Sequence, residues 1–246
     1  MNQNKITFNQ LSINPSSIAR LLGIAAFSLI FASIGVHLLS YYTGIAEHKF
    51  YYKLISFFDV DVEQNIPTFF SMLLLFFATL LLLVITLLER KRSAPHVIQW
   101  AILAFTFFYM TIDEITSFHE ILASPIRMLL GNDNLGIFYY AWVIPYLALV
   151  IALAIILLKF FLHLDSKIKL TFLIAAILYV GGALGFELIG GRYYELHSGN
   201  DLTYRMYVNI EESLEMSGSI VFIWGLLKYI AEKYGAVQFL FDKTQN

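Results

Sequence analysis

The chain has 246 residues, 59% of them hydrophobic and only 14% charged, with a mean hydropathy of +0.70. A soluble domain averages about 25% charged residues. The net charge of −2 gives no sign of a nucleic-acid partner, and no basic run is longer than Arg90-Lys91-Arg92. The lack of cysteine excludes disulfides, thiolate metal sites, iron–sulfur clusters and a cysteine nucleophile.

These values describe an all-α integral membrane protein. Residues 1–19 read as a polar tail. Six windows of about 20 apolar residues follow, each long enough to cross the hydrocarbon core. They fall at about 20–41, 67–89, 96–120, 137–160, 169–190 and 206–229. Together they make a six-helix domain over 20–232, with a cytoplasmic tail over 233–246. The first window is too long for a signal-peptide core and lacks a small-residue cleavage site, so it reads as a retained helix.

Basic residues set the expected orientation. With the N-terminus inside, the cytoplasmic segments hold Lys5, Arg20, Arg90, Lys91, Arg92, Lys159, Lys167, Lys169, Lys228, Lys233 and Lys243, which is eleven. The external segments hold five: Lys49, Lys53, Arg127, Arg192 and Arg205. The bundle is therefore expected to be N-in/C-in, in a cell membrane of the bacterial inner-membrane type.

The first external loop, "HKFYYKLISFFDVD", sets Lys49, Lys53 and Ser56 on one helical face, the pattern of a helix lying in the interface. "DVDVE" follows, with Asp59, Asp61 and Glu63 alternating. It lacks the glycine turn and distal Glu of a calcium loop, and reads as a solvated acidic loop.

Span three ends in "TIDEITSFHE", four ionisable groups in ten residues of an apolar helix. On a continuous helix Thr106, Tyr109, Asp113, Thr116, Ser117 and Glu120 share a stripe, while Glu114 and His119 point to the flanks. Span six repeats the theme in "YRMYVNIEESLEMSGS": Tyr204, Tyr207, Glu211, Glu215 and Gly218 share a stripe, with Glu212 beside it. Span five contributes Glu187, and its Gly181-xxx-Gly185 pair suits close approach to span six around Gly218.

Spans three and five run outward and span six runs inward. Asp113, Glu114, Glu120, Glu187, Glu211, Glu212 and Glu215 therefore reach one depth on the outer side. The only Lys and Arg in the six windows, Arg20, Lys159, Lys169 and Lys228, lie at their inner ends, so none balances them. Burying seven such acids costs on the order of 10–20 kcal/mol by simple addition. Protonation, a wet cavity or bound cations can offset that cost, and cations relieve repulsion and desolvation together. Oxygen ligands suit Mg²⁺, Ca²⁺ or Mn²⁺, and one or two His admit Fe or Zn. The expected ligands to a divalent metal are Asp113, Glu120, Glu187, Glu211 and Glu215. Glu114, His119 and Glu212 are expected as acid–base groups or further ligands.

Carboxylates and His projecting inward from facing helices resemble the di-iron carboxylate bundles in chemistry; the Glu-xx-His pair of those proteins is absent, since Thr116 precedes His119. Ser33-xxx-His37 resembles the Ser/His signature of ceramidase and adiponectin-receptor-like membrane hydrolases. Those carry His-xxx-His in the last helix, where this chain has Glu211-xxx-Glu215. "EES" at 211–213 resembles the Glu-Glu-xxx-Arg motif of prenyl-protein proteases, but position 216 is Met. His37 and His197 read as ordinary interfacial histidines. Tyr139, Tyr140, Trp142, Tyr146, Tyr193 and Tyr194 read mainly as an aromatic belt.

The inner halves of spans three, five and six are nearly all apolar, only Gln99 and Thr106 interrupting span three, and both acidic clusters are outer. An inverted repeat would place one of them inside. The expectation is a one-sided pocket: a metal-dependent membrane enzyme acting on a lipid-soluble or periplasmic substrate, surrounded by membrane lipids. The alternatives are a divalent-cation or proton-coupled transporter and a non-catalytic accessory subunit.

Overall fold

A computed structural model describes residues 13–44, 49–131, 135–197, 201–235 and 237. Among them every regular element is helical. Six helices are long and apolar enough to cross a membrane.

Helix α1 (Pro15–Thr43) begins where the Asn14 side chain accepts from the backbone N–H of Ser16 and Ser17, with Pro15 in the first turn. It ends on Gly44 at φ +62°. These caps lie outside the apolar window, so α1 takes in part of the expected tail; residues 1–12 are outside the described set. A short helix α2 (Lys49–Phe58) precedes α3 (Ile66–Lys91), whose N-cap Asn65 accepts from Thr68 N.

The expected third span is two helices. α4 (Val97–Thr116) stops at Ser117, which adopts φ +48°, and α5 (Phe118–Leu130) starts directly after it. Span four starts later than expected: Gly136–Phe138 form a 3₁₀ turn, and α6 spans Val143–His163. Span five is α7 (Ser166–Val180), a π-helical turn at Gly181–Phe186 and α8 (Glu187–His197). The last span, α9 (Leu202–Tyr234), begins before 206 and so includes Arg205. Of the expected C-terminal tail, residues 236 and 238–246 lie outside the described set.

α9 is the central helix, packed against α1, α3 and α7, and α3 packs along α4. The core lies toward the end of the bundle where α1 starts and α9 ends. There the Trp100 ring meets Phe160 at 4.9 Å and Tyr229 at 4.8 Å, among fully buried Leu82, Ile85, Ile223 and Leu226. Glu89, 2% exposed, accepts from the Tyr229 hydroxyl at 2.7 Å and pairs with Lys233 at 2.6 Å, tying α3 to the end of α9.

Spans five and six pack tightly, but not through Gly181 and Gly185. A Cβ at either would meet nothing within 4 Å. The contact glycines are Gly182, where a Cβ would lie 2.7 Å from the Glu211 carbonyl oxygen, and Gly218, where it would lie 2.6 Å from Tyr179 N. The π turn adds a residue to the local turn and rotates the expected stripe off the interface.

Candidate carboxylate and histidine site

The site begins with the "DVDVE" loop, which is only partly solvated: Asp61 is half-buried and Glu63 exposed, but Asp59 is buried. Asp59 is 4% exposed. Its Oδ1 faces His37 Nε2 at 3.0 Å, and its Oδ2 accepts from Arg205 Nη1 at 3.0 Å. Arg205 also donates to His37 Nδ1 at 2.9 Å. Arginine cannot accept, so the ring proton of His37 sits on Nε2, toward Asp59. Burial alone would raise the Asp59 carboxyl; His37, the Asp61 N–H and Arg205 outweigh it and hold the group below its ordinary 3.8. His37 is thus a buried partner, 2% exposed, rather than an interfacial tip.

This anchor aims the rest of the loop. Asp61 N donates back to Asp59 Oδ1 at 3.0 Å, and Val60 N donates to Ser33 Oγ at 3.3 Å. Asp61 and Glu63 are left facing the interior of the bundle. Burial, and then the Asp59 charge beside it, push the Asp61 carboxyl up to about 6.

The break at Ser117 does similar work on the other side. The Asp113 Oδ1 accepts from His119 N at 3.0 Å, capping the start of α5. Its Oδ2 lies 3.1 Å from His119 Nδ1. The Tyr146 hydroxyl donates to Oδ1 at 3.0 Å and is itself 2.7 Å from the Tyr109 hydroxyl. Trp142 packs its ring 4.6 Å from the imidazole. Burial would lower the His119 pKa, but Asp113, then Glu63 and Glu120, raise it above 6.5. With Nδ1 engaged by Asp113, Nε2 is the nitrogen open to a ligand role, the usual arrangement in carboxylate–His–metal sites.

Glu63, His119 and Glu120 form a group able to hold a metal ion: each offers one ligand atom, and these atoms lie within 4.8 Å of one another. Glu63 and Glu120 are exposed and His119 is half-buried. The fit to a cation is reasonable, because exposed Glu side chains can swing in to ligand distances of about 2.0–2.2 Å.

Below this group lie Glu114 of α4, Glu187 at the start of α8 and Glu211, Glu212 and Glu215 of α9, all half-buried. Trp142 Nε1 donates to Glu187 Oε1 at 3.0 Å. Gly182 brings the π turn against the α9 backbone at Glu211 and the Glu215 side chain, which closes the chamber wall at that level.

One cavity of about 830 Å³ unites all of these groups. Its lining holds every site residue expected from the sequence: Asp113, Glu114, His119, Glu120, Glu187, Glu211, Glu212 and Glu215. Glu114 and His119 do not diverge to separate flanks. Glu114 lies on the chamber side of α4, and the turn at Ser117 brings His119 back to it. Asp113, expected as a ligand, has both oxygens engaged by protein donors and stands behind His119 instead. Asp61 and Glu63 were missed, because an alternating acidic loop carries no local sign of its long-range anchor. Tyr140, Trp142 and Tyr146 line the cavity rather than only the surface. Arg205, which the window starting at 206 left out, is spent on Asp59 and His37.

No curated protein and no solved structure matches the chain. The model of a domain of unknown function, DUF8692, matches residues 19–230, and the chain belongs to that family.

Proposed function

We propose that this protein is a metal-dependent membrane enzyme, of the hydrolase or oxidoreductase class, whose chamber opens at the outer face of a cell membrane. The observation behind this reading is a ligand-ready His119, held by Asp113, beside Glu63 and Glu120 in a cavity that is otherwise largely apolar. An imidazole with carboxylates suits Fe, Mn or Zn, and the deeper all-oxygen group suits Mg or Ca. A divalent cation would supply Lewis-acid activation there. Glu114 and Glu212 are positioned to exchange protons with a bound molecule. Trp142 and Tyr146 pack beside His119 and fix the ring on its apolar side. The outward orientation follows from the basic-residue asymmetry, eleven against five.

Transport is less well supported. Beyond the acids, the lining of α4, α6, α7 and α9 is apolar except for Thr106, Ser219 and the hydroxyls of Tyr109, Tyr146, Tyr179 and Tyr204. The polar path therefore stops partway.

The test is elemental analysis of protein purified without chelators. Near-stoichiometric metal is expected, with loss in His119→Ala and Glu63→Gln. Sub-stoichiometric metal in the unaltered protein overturns the reading.

A further inference from the structure

The acids occupy one end of the chamber only. From Tyr146 the cavity continues along α6 to Phe160, about 20 Å at 1.5 Å per residue. That is most of a hydrocarbon core of about 30 Å. Its walls there are Leu103, Phe107, Leu153, Leu157, Phe172 and Ala176. The volume of about 830 Å³ lies within the range for one bound small molecule.

The chamber is also open at its side. Leu149 and Leu158 of α6 and Leu173 of α7 line it, yet each is about half exposed. α6 is the least buried of the six spans. A second apolar groove, along Leu147, Ile177, Gly181 and Gly185, shares Ala176, Val180 and Leu184 with the chamber. The seam between α6 and α7 is thus thin, apolar and accessible from where lipid chains would lie. Among the described residues no Lys or Arg lines the cavity. A bare anionic head group would meet a cluster of carboxylates, with His119 the one described lining side chain able to carry a positive charge.

We propose that the chamber takes a single-chain amphiphile from the bilayer through the α6–α7 seam. The hydrocarbon chain lies against Leu153, Leu157 and Ala176. The head lies among the carboxylates and is a hydrogen-bond donor, neutral or amine-bearing, without an anionic group. This rests on reading the acidic end as the reacting site, and it names the class of molecule that reaches it.

The experiment uses the full chain in phosphatidylcholine vesicles with a hexadecanol bearing a mid-chain diazirine. After illumination, labelled peptides are mapped by mass spectrometry. Expected is labelling at Leu153, Leu157 and Ala176, reduced severalfold by excess hexadecanol or hexadecylamine but not by palmitate. Ala176→Phe, and independently Ala154→Phe, should fill the chamber and abolish that labelling, with an unchanged melting midpoint as the check on folding. Three results overturn the proposal: labelling spread evenly onto the exposed Ile151 and Ile155, palmitate competing as well as the alcohol, or a second copy of the chain cross-linking into the chamber in place of the probe. Labelling is repeated after chelation, with metal content measured in parallel. Competed chamber labelling in a protein that never holds metal removes the metal reading and leaves this one; stoichiometric metal without competed labelling does the reverse.

Discussion

The Nδ1 of His119 lies 3.1 Å from Oδ2 of Asp113, across a helix break that separates the two residues. The same carboxylate caps the helix on which His119 stands. One side chain therefore sets both the position and the tautomer of the imidazole. That makes Asp113 a positioning residue, with His119 Nε2 as the atom presented to the chamber.

Asp113→Asn separates the two roles. An amide can still accept from His119 N, so the cap survives in part, but its nitrogen cannot accept from Nδ1. Metal affinity should fall about 10- to 100-fold, the usual loss when such a partner is removed. The His119 pKa should fall too, because Asp113 is the chief group raising it. Metal titration and NMR titration of the His119 ring check both. Unchanged affinity would show that Asp113 does not act through His119.

The break itself is testable. Ser117 holds φ +48°, a conformation that costs a non-glycine residue about 1–2 kcal/mol. Ser117→Gly should leave stability equal or higher, while Ser117→Val should lower it and pull His119 out of the chamber. Thermal melts in detergent read the first effect. Metal content reads the second.

The loop anchor predicts an acid dependence. Asp59 titrates below its ordinary value in the folded protein. Its stabilisation is therefore full above the unfolded value of 3.8 and is lost as pH falls through the lower, folded value. Melting midpoints should drop below about pH 4. In Asp59→Asn that drop should be shallower. At neutral pH the same variant should be less stable by roughly 1–3 kcal/mol, since it removes the buried carboxylate that faces the half-buried Arg205. Asp61 and Glu63 would then lose their aim, so metal content should fall with stability.

The sequence conveys the six long apolar helices and the grouping of the acids in one cavity, because both follow from hydrophobic run length and helical rise. It does not convey the Ser117 break, since serine at φ +48° is unremarkable in composition and the apolar pattern runs through it. Nor does it convey the Asp59–His37–Arg205 cluster, whose members lie in α1, a loop and α9 and meet only when packed. The glycine contact shifts by one residue, from Gly181 to Gly182, because the π turn departs from α-helical periodicity. Each miss is a place where tertiary geometry overrides a regular local pattern.

That one-residue shift makes a paired prediction. Gly182→Ala sets a Cβ 2.7 Å from a backbone oxygen, and Gly218→Ala sets one 2.6 Å from a backbone nitrogen. Neither neighbour can swing aside, so each should cost about 1–3 kcal/mol, the range for overpacking. Gly181→Ala and Gly185→Ala face open space and should be neutral or slightly stabilising, because alanine suits a helix better than glycine. Four melting curves decide the matter. Equal effects at 181 and 182 would place the helix contact elsewhere.

A last prediction separates chemistry from transport. A carrier must move its cation past the acids to the far side, where Leu103, Phe107, Phe160, Phe161, Phe172 and Phe222 close around the cavity. Charges are not stable among such side chains without polar partners. Protein reconstituted in vesicles should therefore pass neither divalent cations nor protons faster than empty vesicles, with an imposed gradient of either sign. If flux appears and vanishes in Glu215→Gln or Asp113→Asn, the chamber is one half of a pathway, and the apolar end must rearrange to open it. If flux is absent while Glu63→Gln strips bound metal, the acids serve a site that binds its ligand in place and not one half of a pathway across the membrane.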